Sequence, residues 1–108
     1  MEIMSLYHPA LEELALPAVL HALSDPARLQ IVRELDLDPT PRPCGSFDLG
    51  VTKSTCTHHF RVLREAGVVS QQQLGTSKLT SLRREDLDTR FPGLLDAVLD
   101  AAAVHASA

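Results

Sequence analysis

The stretch at residues 52–67, TKSTCTHHFRVLREAG, constrains the chain most, because it carries its own start, its own stop and two unlike faces. At 100° per residue, Cys56, Phe60 and Leu63 fall together at i, i+4, i+7, the spacing of a core-facing stripe. Ser54, Thr57, His58, Arg61 and Arg64 gather on the other side. The Thr52 hydroxyl is placed to cap the first turn. Gly67 suits the left-handed residue that ends a helix. His58 and His59 are adjacent and therefore point about 100° apart, so they cannot act as a pair: His58 joins the polar face, and His59 sits at the core margin as a hydrogen-bonded structural histidine. Cys56 reads as a small core residue.

Charge supports an anionic partner for the polar face. The net charge is −4, yet residues 51–84 hold six cations (Lys53, Arg61, Arg64, Lys78, Arg83 and Arg84) against Glu65 alone, a local +5. The acidic remainder limits non-specific sticking, since charges more than ~8 Å apart are largely screened at physiological salt. The alternative for such a face is plain solvation.

Helical signals flank this stretch. A short helix is expected over residues 8–16, opened by Pro9. A second starts at Pro17, with Leu16, Val19, Leu20 and Leu23 as its stripe. Asp25-Pro26, a capping carboxylate before a first-turn proline, opens a third helix with Leu29, Val32 and Leu35 as core contacts, ending near Asp38. Residues 38–50 hold three of the seven prolines and two of the five glycines. They read as loop with one helical turn near residues 47–49. After Gly67, two extended segments meet at Gly75-Thr76-Ser77, a hairpin tip. Residues 84–90 form a short helical turn, and Pro92 opens a last helix to about His105, with Phe91, Leu94, Leu95, Val98, Leu99 and Ala102 as a long apolar stripe.

At 108 residues this is one domain. It is mainly α with a small β-hairpin wing. Met1 to Ser5 lacks the basic start of a secretory leader, and no apolar run reaches the roughly 20 residues of a membrane span, so a cytoplasmic protein without a membrane partner is expected. Cys44 and Cys56 are too few for a disulfide scaffold and lack paired ligands for a zinc ribbon. No Gly-rich phosphate loop, His pair at i, i+4 or nucleophile constellation is present, so an enzyme is not expected. The terminal helices, residues 1–24 and 91–105, carry more Leu and Val than a small core covers. A homodimer through Leu16, Val19, Leu20, Leu94, Leu95, Val98 and Leu99 would bury them; the alternative is that the terminal helices pack on each other within one chain.

LSDPARLQIVREL, then KSTCTHHFRVLREAGVV, then a Gly-tipped hairpin, in that order, resemble the bacterial ArsR/SmtB-type transcriptional regulators over roughly residues 16–99. The resemblance implies a homodimeric winged helix-turn-helix with double-stranded DNA as partner. Residues 52–67 would be the recognition helix and residues 68–82 the wing. It further implies a repressor on a pseudo-palindromic operator, released by a metal ion or another signal. Carried over residue by residue, Lys53, Ser54, Thr57, His58 and Arg61 face the major groove, while Gln73, Thr76, Ser77 and Lys78 bring the wing to DNA. Gln71, Gln72 and Gln73 replace the more basic strand expected there, which predicts a modest salt dependence. The family's closely spaced Cys pair is absent, since only Cys44 precedes the recognition helix. Asp96, Asp100 and His105 lack the spacing of its last-helix site. His8 and His105, helped by Glu12 or Asp100, are the remaining ligands for a regulatory nickel or zinc ion; no cofactor is required. The competing reading is a winged-helix interaction module, or a DNA-binding subunit whose sensing belongs to a separate protein.

Overall fold

The structure, a computed structural model, describes residues 6–107, with side chains as far as residue 104. Five helices and a three-stranded sheet follow in the order α1 (Leu16–Leu23), α2 (Pro26–Leu37), β1 (Arg42–Pro43), α3 (Lys53–Ala66), β2 (Val69–Leu74), β3 (Ser77–Leu82), α4 (Arg84–Arg90) and α5 (Leu94–Ser107). The fold is a winged helix-turn-helix, mostly helical, with β2 and β3 as the wing.

Local chemistry sets the two central helices. The Asp25 carboxylate accepts from the Ala27 and Arg28 amides at 2.9 and 3.2 Å, and Pro26 occupies the first turn of α2. Thr52 accepts from the Thr55 amide at 3.2 Å to start α3, and Gly67, at φ 85°, stops it. Ile31, Val32, Leu35, Phe60, Leu63, Val68, Val69 and Leu95 then fill one core. Phe47 meets Phe60 edge-on at 5.4 Å, closing the core beneath the loop before α3.

Burial tends to raise the Asp25 pKa, but hydrogen bonds from the Arg28 and Ala27 amides, with the His59 ring and the Arg28 charge nearby, outweigh it, leaving the carboxyl below its ordinary 3.8. A lowered folded-state pKa gives stability that is full above 3.8 and is lost as pH falls through the folded value. Asp25→Ala is therefore expected to cost about 1 kcal/mol near neutral pH. Denaturant midpoints should show the difference from wild type shrinking below pH 4; an unchanging difference would contradict the capping role.

Several boundaries differ from the sequence reading. In place of a helix over residues 8–16 there is one 3₁₀ turn, Leu11–Glu13. The surrounding carbonyls are engaged elsewhere: Arg64 donates to Tyr7, Arg83 to Pro9 and Arg90 to Leu14. The helical turn in the Pro-rich loop lies at Cys44–Ser46, earlier than expected, preceded by β1, which pairs Arg42 with Thr80 and Pro43 with Leu79. The hairpin turns on two residues, with Leu74 opposite Ser77 and Gly75 at φ 61°. Pro92 does not open the last helix, because Gly93 at φ 82° makes a turn first. On α2, Ile31 and Arg28 are buried whereas Leu29 is only half-buried.

Arg28 is a polar staple in that core, 7% exposed. Its guanidinium donates to the Ala22 and His21 carbonyls at 2.8 and 3.2 Å and to His59 Nδ1 at 3.2 Å. Because the arginine can only donate, His59 carries its proton on Nε2, which lies 3.7 Å from the Asp25 carboxylate. His59 thus couples α3 to the N-terminus of α2 and to the end of α1, which fixes the angle at which α3 is presented.

Candidate nucleic-acid interface

Along α3, Lys53, Ser54, Thr57, His58 and Arg61 are all exposed, while Phe60 and Leu63 face inward on the opposite side. Cys56 lies half-buried between the two faces. The Thr57 hydroxyl donates to the Lys53 carbonyl at 3.0 Å, so its oxygen faces outward as an acceptor. Ser54 lies 3.3 Å from the Thr52 hydroxyl at the same end. No acidic residue stands in the first turn. Lys53 therefore adds its charge to the unpaired amides and positive dipole end of the helix, a combination that favours phosphate.

The wing runs beside this face. Lys53, Thr57 and Arg61 from α3 and Lys78 from β3 border a cavity of about 290 Å³, together with Cys44, Gly45, Cys56, Phe60, Arg64 and Gln71. Thr76 and Ser77 are exposed at the wing tip, where Gln73 Nε2 donates to the Gly75 carbonyl at 3.1 Å. The residues singled out in the sequence thus fall into a cluster lining the cavity (Lys53, Thr57, Arg61 and Lys78) and outliers on either side. Ser54 and His58 lie elsewhere on α3, and Gln73, Thr76 and Ser77 near the tip.

The positive zone is smaller than the sequence suggested. Arg64 donates to Gln71 Oε1 at 2.7 Å and to the Tyr7 carbonyl. Arg83 grips Asp86 at 2.9 Å and the Pro9 carbonyl at 2.7 Å. Arg84 lies 2.6 Å from Asp96, 3.4 Å from Asp36 and 3.8 Å from Asp88, fastening α4 to α2 and α5. Two of the six cations, Arg83 and Arg84, are therefore neutralised by carboxylates within the fold, and Arg64 keeps its charge but is held by neutral partners. Lys53, Arg61 and Lys78 have no hydrogen-bond or ion-pair partner among the described residues, and those three converge on the groove between helix and wing.

Gln71 is not available to DNA. It is 4% exposed, and its side chain joins Arg64, Cys44 and Thr80. The inward alternation of Val69 and Gln71 could have signalled this, since residues two apart on a strand share a face. Arg28, also unremarked in the sequence, left no comparable signal.

His8 does not fit a nickel or zinc site. Its Nδ1 donates to the Leu6 carbonyl at 2.9 Å and its Nε2 accepts from the Gln71 amide at 2.9 Å, so neither ring nitrogen is left for a metal. The side chain of His105 lies outside the described residues. No group of three or more His, Cys, Asp or Glu residues is placed to hold a metal ion among the described residues.

Of the apolar residues expected at a dimer interface, Val19, Leu95 and Leu99 are buried in the chain's own core. Leu94 and Val98 are half-buried, while Leu16 and Leu20 are 42% and 45% exposed on one side of α1. Among the described residues no helix is long and apolar enough to cross a membrane.

A family model described as a helix-turn-helix domain matches residues 23–72. The chain is 34% identical over 82 residues to the HTH-type transcriptional regulator YceK of Bacillus subtilis, spanning 74% of this chain and 82% of that protein. It is likewise 34% identical over 82 residues to the HTH-type transcriptional regulator NmtR of Mycobacterium tuberculosis, spanning 76% and 65% of the two. The crystal structure of an ArsR family transcriptional regulator shares the fold, with a TM-score of 0.58 at 16% identity over 94% of this chain and 93% of that one.

Proposed function

The chain belongs to the winged helix-turn-helix transcriptional regulators of ArsR/SmtB type, DNA-binding proteins rather than enzymes, and from that premise we propose that it is a homodimeric repressor reading a pseudo-palindromic operator. The observation that carries this reading is the convergence of Lys53, Arg61 and Lys78, unpaired, on the groove between α3 and the wing, while Arg64 is held by Gln71 and Arg83 and Arg84 are paired with carboxylates inside the fold.

In this reading α3 enters the major groove. Lys53 and Lys78 bind the phosphates on either side, and Arg61 reaches either phosphate or a guanine edge bidentately. Ser54, Thr57 and His58 offer short polar contacts to base edges, and Thr76 and Ser77 bring the wing tip to the flanking backbone. Fluorescence anisotropy with the DNA upstream of the chain's own gene tests it: saturable, salt-sensitive binding is expected, and binding no tighter than to unrelated duplex would refute operator recognition.

Leu16 and Leu20, one turn apart and open on α1, support pairing with a second copy, which would align two α3 helices with two half-sites. Leu20→Glu is expected to give a folded monomer in sedimentation analysis and weaken operator binding at least about tenfold, since each half-site contact would stand alone. A dimer that survives the substitution would place the interface elsewhere.

A further inference from the structure

The cavity between α3 and the wing contains both of the chain's cysteines, each free and half-buried. They come from different elements, Cys44 from the turn after β1 and Cys56 from the second turn of α3. Around Cys44 the fold builds a polar network that DNA contact does not require. The Gln71 amide donates to Cys44 Sγ at 3.2 Å and to Thr80 Oγ1 at 3.1 Å, and Gln71 Oε1 accepts from Arg64 at 2.7 Å.

We infer that Cys44 and Cys56 are a dithiol pair oxidised by hydroperoxides, and that their disulfide lowers affinity for DNA. The Cys44 thiol gives up its proton and, as the thiolate, attacks one oxygen of the hydroperoxide ROOH; the O–O bond breaks, the leaving alkoxide or hydroxide RO⁻ takes up that proton, and Cys44 sulfenic acid and ROH form. The Cys56 sulfur then attacks the sulfenic sulfur; the S–S bond forms, and hydroxide departs with the Cys56 proton as water. Two thiols and ROOH become a disulfide, ROH and water, the two sulfurs together losing the two electrons that the peroxide gains.

The surroundings divide the roles. An N–H donor backed by the Arg64 guanidinium faces Cys44 Sγ, and Lys53, Arg61 and Lys78 border the same space, a setting that favours an attacking sulfur. Burial pushes the Cys56 thiol up, and charge on Cys44 pushes it further, so the two sulfurs sense each other and Cys56 suits the resolving role. Two sulfurs with no third ligand among the described residues suit this chemistry better than a metal ion.

The consequence for DNA rests on the function proposed above. Cys56 lies between Lys53 and Thr57 on α3, so a bond to Cys44 would fasten the DNA-facing half of the helix to the turn after β1. It would also remove Cys44 as a partner of Gln71, whose other end holds Arg64 on the same helix.

The test treats the reduced full-length protein with hydrogen peroxide and follows two independent readouts. Intact mass and peptide mapping should show loss of two hydrogen atoms and a Cys44–Cys56 linked peptide within one chain, restored by dithiothreitol. Operator affinity should fall on the order of tenfold or more and recover with the reductant. Cys44→Ser keeps a hydroxyl for Gln71 and should abolish both responses, as should Cys56→Ser. Failure of the reduced protein to bind DNA would sink the proposed function while leaving the linked peptide as evidence for the dithiol. Two thiols that persist, oxidise separately or link different chains would overturn the inference, as would a disulfide that leaves affinity unchanged.

Discussion

Gly67→Ala is expected to lower stability by about 2–4 kcal/mol, the sum of a left-handed backbone imposed on an L-residue and of overpacking. Gly67 ends α3 at φ 85°, and its amide donates to the Arg64 carbonyl at 3.0 Å while the Val68 amide donates to Leu63 at 2.9 Å. A Cβ there would overlap the Leu14 side chain and lie 3.1 Å from Pro9 Cγ. Leu14 is 1% exposed and has nowhere to move. Since a domain of this size is stable by only 5–15 kcal/mol, the thermal midpoint should drop by about 10 °C or more. A fall of only a degree or two would mean that the N-terminal segment does not pack against the end of α3. The substitution should also loosen the junction from which the wing departs, because α3 and β2 are joined by Gly67 and Val68 alone.

The second large effect is on DNA. Replacing Lys53, Arg61 and Lys78 together by alanine removes the unpaired cations of the groove and leaves the core untouched, since none of the three is a core residue. The triple variant should keep its thermal midpoint and lose operator affinity by about 100-fold or more at moderate salt. Of the single substitutions, Arg61→Ala alone should cost about 1–3 kcal/mol if the guanidinium reads a base, and relax discrimination at that base pair. Arg64→Ala should behave in the opposite way. Its guanidinium is bound to Gln71 and Tyr7, so the main loss is in stability and wing placement rather than in salt-dependent affinity.

Local signals made α2 and α3 readable from the sequence. Asp25-Pro26, Thr52 and Gly67 act within one turn of themselves, and their caps and stop are where the residues place them. The same holds for the polar face of α3, which follows from periodicity. What the sequence concealed depends on contacts between distant segments. The two-residue strand β1 exists only because β3 pairs with it, and a Pro-rich loop gives no periodicity to announce it. Counting charges over residues 51–84 overstated the positive surface, because the partners of Arg83 and Arg84 include the Pro9 carbonyl, Asp36 and Asp96, all outside that window. His8 looked like a candidate ligand until its two nitrogens were seen to join Leu6 to the edge of β2. Gln71 was read with Gln72 and Gln73 as one polar run, although strand alternation turns it inward while Gln72 stays exposed.

The central claim is that α3 and the wing together grip DNA through three cations. The most direct test is an anisotropy titration of wild type and of the Lys53, Arg61, Lys78 triple alanine variant against the upstream DNA over a range of salt. Each phosphate contact contributes about 0.9 to the slope of log affinity against log salt. If all three residues contact phosphate in both protomers, the variant's slope should be shallower by about 5, and smaller in proportion if Arg61 reads a base instead. Equal affinity and equal slope for the two proteins would contradict the account.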